Sequence, residues 1–170
     1  MIALLGSLLA WAFPAIQWYA FRHIHGHIYD ANGRLYMGRW WVVAPGTWQS
    51  RVLLFVTGGR YESIRLHHIN RPDNDRDLHN HPFYYLTFVL LGYYSEFRCD
   101  RKGAPDYWQL LTRGKSSTGG EELWHRIDDV SPQGVWTFFM MGPNKGEWGF
   151  DTPDGYVESR AYFNQRGSDA

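Results

Sequence analysis

The sequence predicts an all-β domain, a sandwich or barrel, behind a short apolar helical extension. Three observations carry this. Nine Trp, eleven Tyr and ten Phe crowd into 170 residues, and aromatic side chains favour pleated, half-buried surfaces. From about residue 28 onward, short apolar runs recur between turn signals, as in sandwiches and barrels. No strands alternate with helical stretches, as a parallel sheet would require. The length suffices for one domain with a real core.

The elements follow in order. Residues 1–21, "MIALLGSLLAWAFPAIQWYAF", hold no charged side chain. A run of about 18 apolar residues can be a membrane helix, but Pro14 interrupts this one and Gly6, Ser7 and Gln17 weaken it. It lacks the basic start of a signal peptide. The reading is an apolar helix lying on the domain, in an oligomer interface or on a membrane surface. Residues 1–27 thus form a helix with a His-containing linker, and residues 28–170 the β-domain. After the "ANG" turn, "RLYMGRWWVV" reads as a strand, and "WQSRVLLFV" continues the series up to Gly58 and Gly59. "YESIRLHHI" alternates, and "NRPDNDRD" breaks it. "HPFYYLTFVLL" is one long buried strand or two, ending at Gly92 and pairing with "YYSEFRC". "DRKGAP" turns into "YWQLL", and "GKSSTGGEE" is the most polar loop. "LWHRI", "VWTFFMM" and "EWGF" complete the strands. The tail "YVESRAYFNQ" reads as a strand or a short helix.

Seventeen basic and seventeen acidic side chains balance. With no basic stripe, nucleic-acid binding is not expected. Cys99 is the sole cysteine. It cannot form an internal disulfide, which fits a reducing, cytoplasmic setting. It ends a strand beside Asp100 with no evident base, so it is not read as a nucleophile.

The histidines carry the functional signal. On a strand, residues two apart share a face, with Cα atoms roughly 6.5 Å apart. His79 and His81 in "DLHNHP" therefore aim two imidazoles into one volume. The same parity continues through Phe83, Tyr85, Thr87 and Val89, an apolar face with a few polar groups, as a pocket wall should be. His125 shares its parity with Leu123 and Ile127. It points toward the core, where a histidine needs a hydrogen-bond partner or a metal. Of His67 and His68 only one can face inward, and it is read as supporting or structural. "HIHGH", His23 to His27, has no long strand to carry it and reads as a solvated linker. Arg76 either braces its acidic loop or clamps a substrate anion. Lys145 and Trp148 are candidates for a pocket rim, and Arg126 should point outward.

"HNHP…LLG" with one later histidine resembles the two-part signature of the cupin superfamily. More narrowly, the chain resembles an uncharacterised cupin-like family of bacterial and phage genomes. "GRLYMGRWWV", "RLHHINRPDNDRDLHNHPF", "LLGYYSE", "HRID", "VWTFFMMGPNKGEWGF" and "DGYVESRAYF" carry that likeness over most of residues 28–163. The resemblance implies a cupin-type jelly-roll barrel with a metal on His79, His81 and His125. Where the usual motif has a ligating glutamate, Tyr85 stands here. Glu96 lies beyond Gly92 and is not the same ligand. Three-histidine cupin sites occur in thiol dioxygenases. The implied function is thus a non-haem Fe(II)-dependent dioxygenase acting on a small molecule, with Zn, Ni or Mn as other ions the ligands allow. Tyr85 would then supply a catalytic phenol or simply fill the barrel. Arg76 and Thr87 would contact substrate, and many cupins are homodimers. The alternatives are a non-catalytic barrel that binds a small ligand, or an interaction protein working through its apolar N-terminus.

Overall fold

A computed structural model describes residues 2–30, 32–73, 77–99 and 106–165. Two helices, α1 (Ile2–Trp11) and α2 (Phe13–Ala20), lead to strands β1 (Ile28–Tyr29) and β2 (Leu35–Val43). Helix α3 (Trp48–Val56) precedes β3 (Ser63–Ile69), β4 (Leu78–His79), β5 (Tyr85–Leu91) and β6 (Tyr93–Cys99). Then come β7 (Tyr107–Thr112), β8 (Ser116–Gly119), β9 (Trp124–Val130), β10 (Val135–Met141), β11 (Gly149–Thr152), β12 (Gly155–Glu158) and helix α4 (Ser159–Gln165). They build two six-stranded sheets, ordered β1-β2-β3-β10-β5-β8 and β12-β11-β4-β9-β6-β7. The strand pairs are antiparallel.

The period of two along the strands of the first sheet sorts its side chains between two environments. Ile64, Leu66, Leu86, Phe88, Leu90 and Phe138 form one buried cluster, covered by Leu9, Phe13, Ile16 and Ala20 of the N-terminal helices and Leu53 of α3. The alternate residues, among them Arg65, His67, Tyr85, Thr87 and Phe139, line a cavity between the sheets. With both faces covered, β5 is buried along all but its last residue. A second cluster around Val89, Tyr94, Ile127 and Val135 packs the two sheets together. The domain is thus three layers: helices, sheet and sheet.

Several expectations need correction. "WQSRVLLFV" is helix α3, not a strand. Thr47 caps it by accepting a hydrogen bond from Ser50 N at 3.2 Å, and a short apolar run cannot itself separate helix from strand. Strands β5 and β6 do not pair but belong to different sheets. They join through Gly92 at φ +82°, where a Cβ would come within 2.4 Å of Ser131 Oγ. The polar stretch around residues 114–122 is not all loop, since it holds β8. The tail is both a strand and a helix. The "DRKGAP" turn lies outside the described residues.

The N-terminal segment forms two helices bent by 66° rather than one, with Pro14 in the first turn of α2, where its missing N–H costs nothing. No single described helix is long and apolar enough to cross a membrane, although the bent pair passes that test by length and composition. The "HIHGH" stretch is not simply solvated. It runs along β2, with His25 N bonded to Arg39 O and Trp41 N to His23 O, and His25 packs on Trp41.

Candidate metal centre

Strand β4 is two residues long, and its placement decides the site. It lies between β9 and β11, with His79 opposite His125 on one side and Phe150 on the other. That register sets the His79 and His125 rings 4.6 Å apart between centroids. The chain then leaves the second sheet to enter β5 in the first, and His81 stands in this crossing. Its Nε2 lies 3.1 Å from Nε2 of His125, and its ring is perpendicular to that of His79. One nitrogen from each of the three rings lies within 4.8 Å of the others. The structure therefore gathers His79, His81 and His125, and keeps His23, His25 and His27 out of the cluster.

The donor set fits a divalent ion. His125 Nδ1 donates to Glu96 Oε2 at 2.9 Å. Because one nitrogen is thus committed as a donor, Nε2 carries the lone pair and faces His81. Two imidazole nitrogens this close repel unless a proton or a cation lies between them. Burial, together with the neighbouring His125, holds His79 down at about 4. Burial with His125 and His79 takes His81 well below its ordinary 6.5. Both are therefore kept neutral, the form that binds metal. His79 Nδ1 has no hydrogen-bond partner and lies 3.9 Å from Asp73 Oδ2. Asp73 itself accepts from Ile127 N at 2.8 Å and from the Tyr36 hydroxyl.

Glu96 is the residue that sequence reasoning placed outside the site. It is not among the three converging imidazoles, yet it stands directly behind one of them. Its carboxylate is 1% exposed and accepts from His125, from Arg98 Nη1 at 2.9 Å, from Ser117 Oγ at 2.7 Å and from Gln109. Burial pushes this carboxyl up, but His125 and Arg98 outweigh it and hold the group at about 2. Burial likewise opposes the charge on Arg98, and the neighbouring Tyr85 and Glu96 overcome it, raising the guanidinium above its ordinary value. The available signal was parity: Tyr94, Glu96 and Arg98 share the inward face of β6, where an acid and a base two apart can form a pair.

Tyr85 is buried and lines the cavity beside the cluster. Its ring lies 5.1 Å from His81 and 5.8 Å from His125 between centroids, and it stacks on Phe139. Gly119 makes room for it, since a Cβ there would lie 2.1 Å from Tyr85 Cε1. Thr87 is buried in the cavity wall, and its Oγ1 has no hydrogen-bond partner. Arg76 falls outside the described residues. His67 faces inward, while His68 stacks on Trp136 on the other side of the strand. Trp148 lines the cavity but Lys145 does not, and pairs instead with Glu121 at the surface. Arg126 turns away from the cavity and pairs with Asp128 at 2.7 Å. The cavity holds about 540 Å³, and Met37, Phe83, Phe139, Trp148 and Phe163 are among the residues of its apolar wall.

No family model matches the sequence, and no curated protein matches it. Solved structures do. Oxalate decarboxylase from Bacillus subtilis superposes with a TM-score of 0.51 at 11% identity, over 82% of this chain and 31% of that one. A structure of the same enzyme, concerned with its Mn(II) centres, gives 0.51 at 12% identity over the same shares. Structures of DMSP lyases give 0.44 at 15% identity, over 68% and 53%. The chain therefore spans about a third of the oxalate decarboxylase chains, 31%. Two antiparallel sheets closing on a cavity and superposing on the decarboxylase show the fold, a cupin-type jelly roll with a helical layer on one side.

Proposed function

We propose that the protein is a metal-dependent enzyme that oxidises a small molecule in the cavity, with Fe(II) held by His79, His81 and His125 and dioxygen as oxidant. The observation that carries this is the convergence of three buried imidazoles at a largely apolar cavity of about 540 Å³. A divalent ion held by these three neutral ligands would keep its full charge and could supply the chemistry to polarise an anionic substrate and activate dioxygen. The chain's own residues do the rest. Glu96 fixes the tautomer and orientation of His125. Tyr85 sets its ring beside two of the ligands and is the candidate to hold or pass a proton. Phe83, Phe139 and Trp148 exclude water from the reacting end. Manganese belongs to the decarboxylase and is the natural second ion to test, with zinc and nickel after it.

Elemental analysis of untagged protein, beside His79→Ala and His125→Ala, tests this. Near-stoichiometric iron lost in both variants supports the reading, and oxygen consumption with candidate substrates follows. No metal in the wild type after anaerobic Fe(II) loading overturns it and leaves a barrel that binds a ligand without catalysis. A second role in surface attachment rests on a separate observation. The helical layer exposes Leu4, Leu8, Trp11, Trp18 and Phe55, a patch suited to a membrane surface or to a second copy in a homodimer.

A further inference from the structure

The cavity holds two guanidinium groups that no carboxylate among the described residues pairs with, although Arg39 Nε donates to Gly26 O at 2.7 Å. Arg39 and Arg65 both line it, on adjacent strands β2 and β3. Burial lowers the pKa of both, and Arg39 lowers that of Arg65 further, to about 10. Neither lies within salt-bridge distance of a carboxylate among the described residues. Asp30 is taken by Arg34 and Arg71, and Glu96 by Arg98. Trp41 covers one face of the Arg65 guanidinium, 4.6 Å from the ring centroid, but a cation–π contact leaves the in-plane N–H groups unused. Arg65 Nε is buried without a hydrogen-bond partner. Two residues along β3, on the same face, His67 is 6% exposed, and its Nε2 is also without a partner. Buried cations and buried orphan donors are costly unless a counter-charge completes them.

The position of this patch relates it to the metal centre. The inner-face register across the first sheet runs Trp41, Arg65, Phe139, Thr87. His67 stacks on Phe139 at 4.8 Å, and His81 lies 6.3 Å from the same ring on its edge. One aromatic ring thus separates the cationic patch on the first sheet from the histidines. Thr87, beyond Phe139 from Arg65, adds a buried hydroxyl without a partner.

We propose that Arg65 and His67, with Arg39 adding charge, form a subsite for the carboxylate of a small acid with an apolar body, whose other end reaches His79, His81 and His125. The planar fork of Arg65 matches a carboxylate, His67 donates its Nε2–H to the second oxygen, and the aromatic wall takes the body. This names the substrate class of the proposed enzyme and rests on that reading for the reacting end. The anion subsite itself requires no metal.

Calorimetric titration of metal-free and metal-loaded protein with benzoate, 3-phenylpropionate and hexanoate, beside their primary amides, tests it. The acids should bind about 10- to 100-fold more tightly than the amides, as a buried charge-assisted contact would give. Arg65→Gln should abolish that preference while keeping the metal content of the wild type. Arg65→Lys, which keeps the charge but not the fork, should retain part of it, and melting curves confirm that both variants fold. Equal binding of acids and amides, an undiminished preference in Arg65→Gln, or no acid binding at millimolar concentration overturns the inference. So does tighter binding of phenylphosphonate than of benzoate, which would mark a phosphate site. An Arg65-dependent acid preference in a protein that never takes up metal supports the subsite and removes the enzyme. Metal uptake with no acid preference does the reverse.

Discussion

Glu96 shows how a carboxylate outside the ligand set can govern a ligand. Glu96→Gln keeps the shape but replaces one acceptor oxygen by a donor. It should weaken metal binding about 10- to 100-fold, read by competition with a chelator, and leave Arg98 buried without its counter-charge. Tyr85→Phe removes only a hydroxyl. Metal content should stay near the wild type while turnover falls by about two orders of magnitude or more if the phenol handles the proton. The buried histidines also set an acid limit for the metal-free protein. His67, His79 and His81 stay neutral in the folded state below the ordinary 6.5, whereas the unfolded chain takes up those protons. Stability is therefore complete above pH 6.5 and is lost as pH falls below it, by on the order of 1.4 kcal/mol per pH unit for each histidine. Glu96 adds a further loss as pH falls from 4.5 toward 2. Urea midpoints measured across this range should drop steeply, and less steeply in His67→Asn. At this scale the sequence was informative where two residues share a strand, as His79 and His81 do. It was uninformative where partners come from separate strands, because the contact of Glu96 with His125 depends on β6 lying beside β9.

At the scale of elements, the shortest strand carries the most consequence. β4 contributes two residues, and its slot between β9 and β11 aligns His79 with His125. Alternation and turn signals made most strands legible, since β9 and β10 each bury one side more than the other. The helix α3 was not legible, because "WQSRVLLFV" is apolar and partly β-branched and its cap lies one residue outside it. Thr47→Ala removes that cap and should cost about 1 kcal/mol, seen as a lower denaturant midpoint. Gly92 illustrates a turn that only glycine permits: its φ is +82°, and the space of a Cβ is taken by Ser131 Oγ and Gly134 O. Gly92→Ala should cost more than about 1 kcal/mol from backbone strain alone, and more with the collision. The crossing from one sheet to the other at this point was invisible in sequence, where neighbouring strands are the natural partners.

Across the whole molecule, the helices are part of the core rather than an attachment to it. Leu9, Phe13 and Ile16 pack against the buried cluster that contains Leu66, Phe88 and Leu90. Deletion of residues 1–21 should therefore lower the melting temperature and promote aggregation, whatever the helices do on their outer side. Leu8→Ser with Trp11→Ser and Trp18→Ser changes only half-exposed or exposed positions. It should leave melting near the wild type and reduce pelleting with anionic vesicles or self-association in sedimentation. The three-layer plan also has a consequence for motion. The imidazoles His79 and His125 ride on one sheet, and the guanidinium of Arg65 on the other. The sheets are joined near the site by the crossing that carries His81. A molecule gripped at both ends would act as a removable rivet through the jelly roll, damping the breathing of one sheet against the other. Its arrival would be felt as slower amide exchange in β3 and β9 together, two strands that share no hydrogen bond.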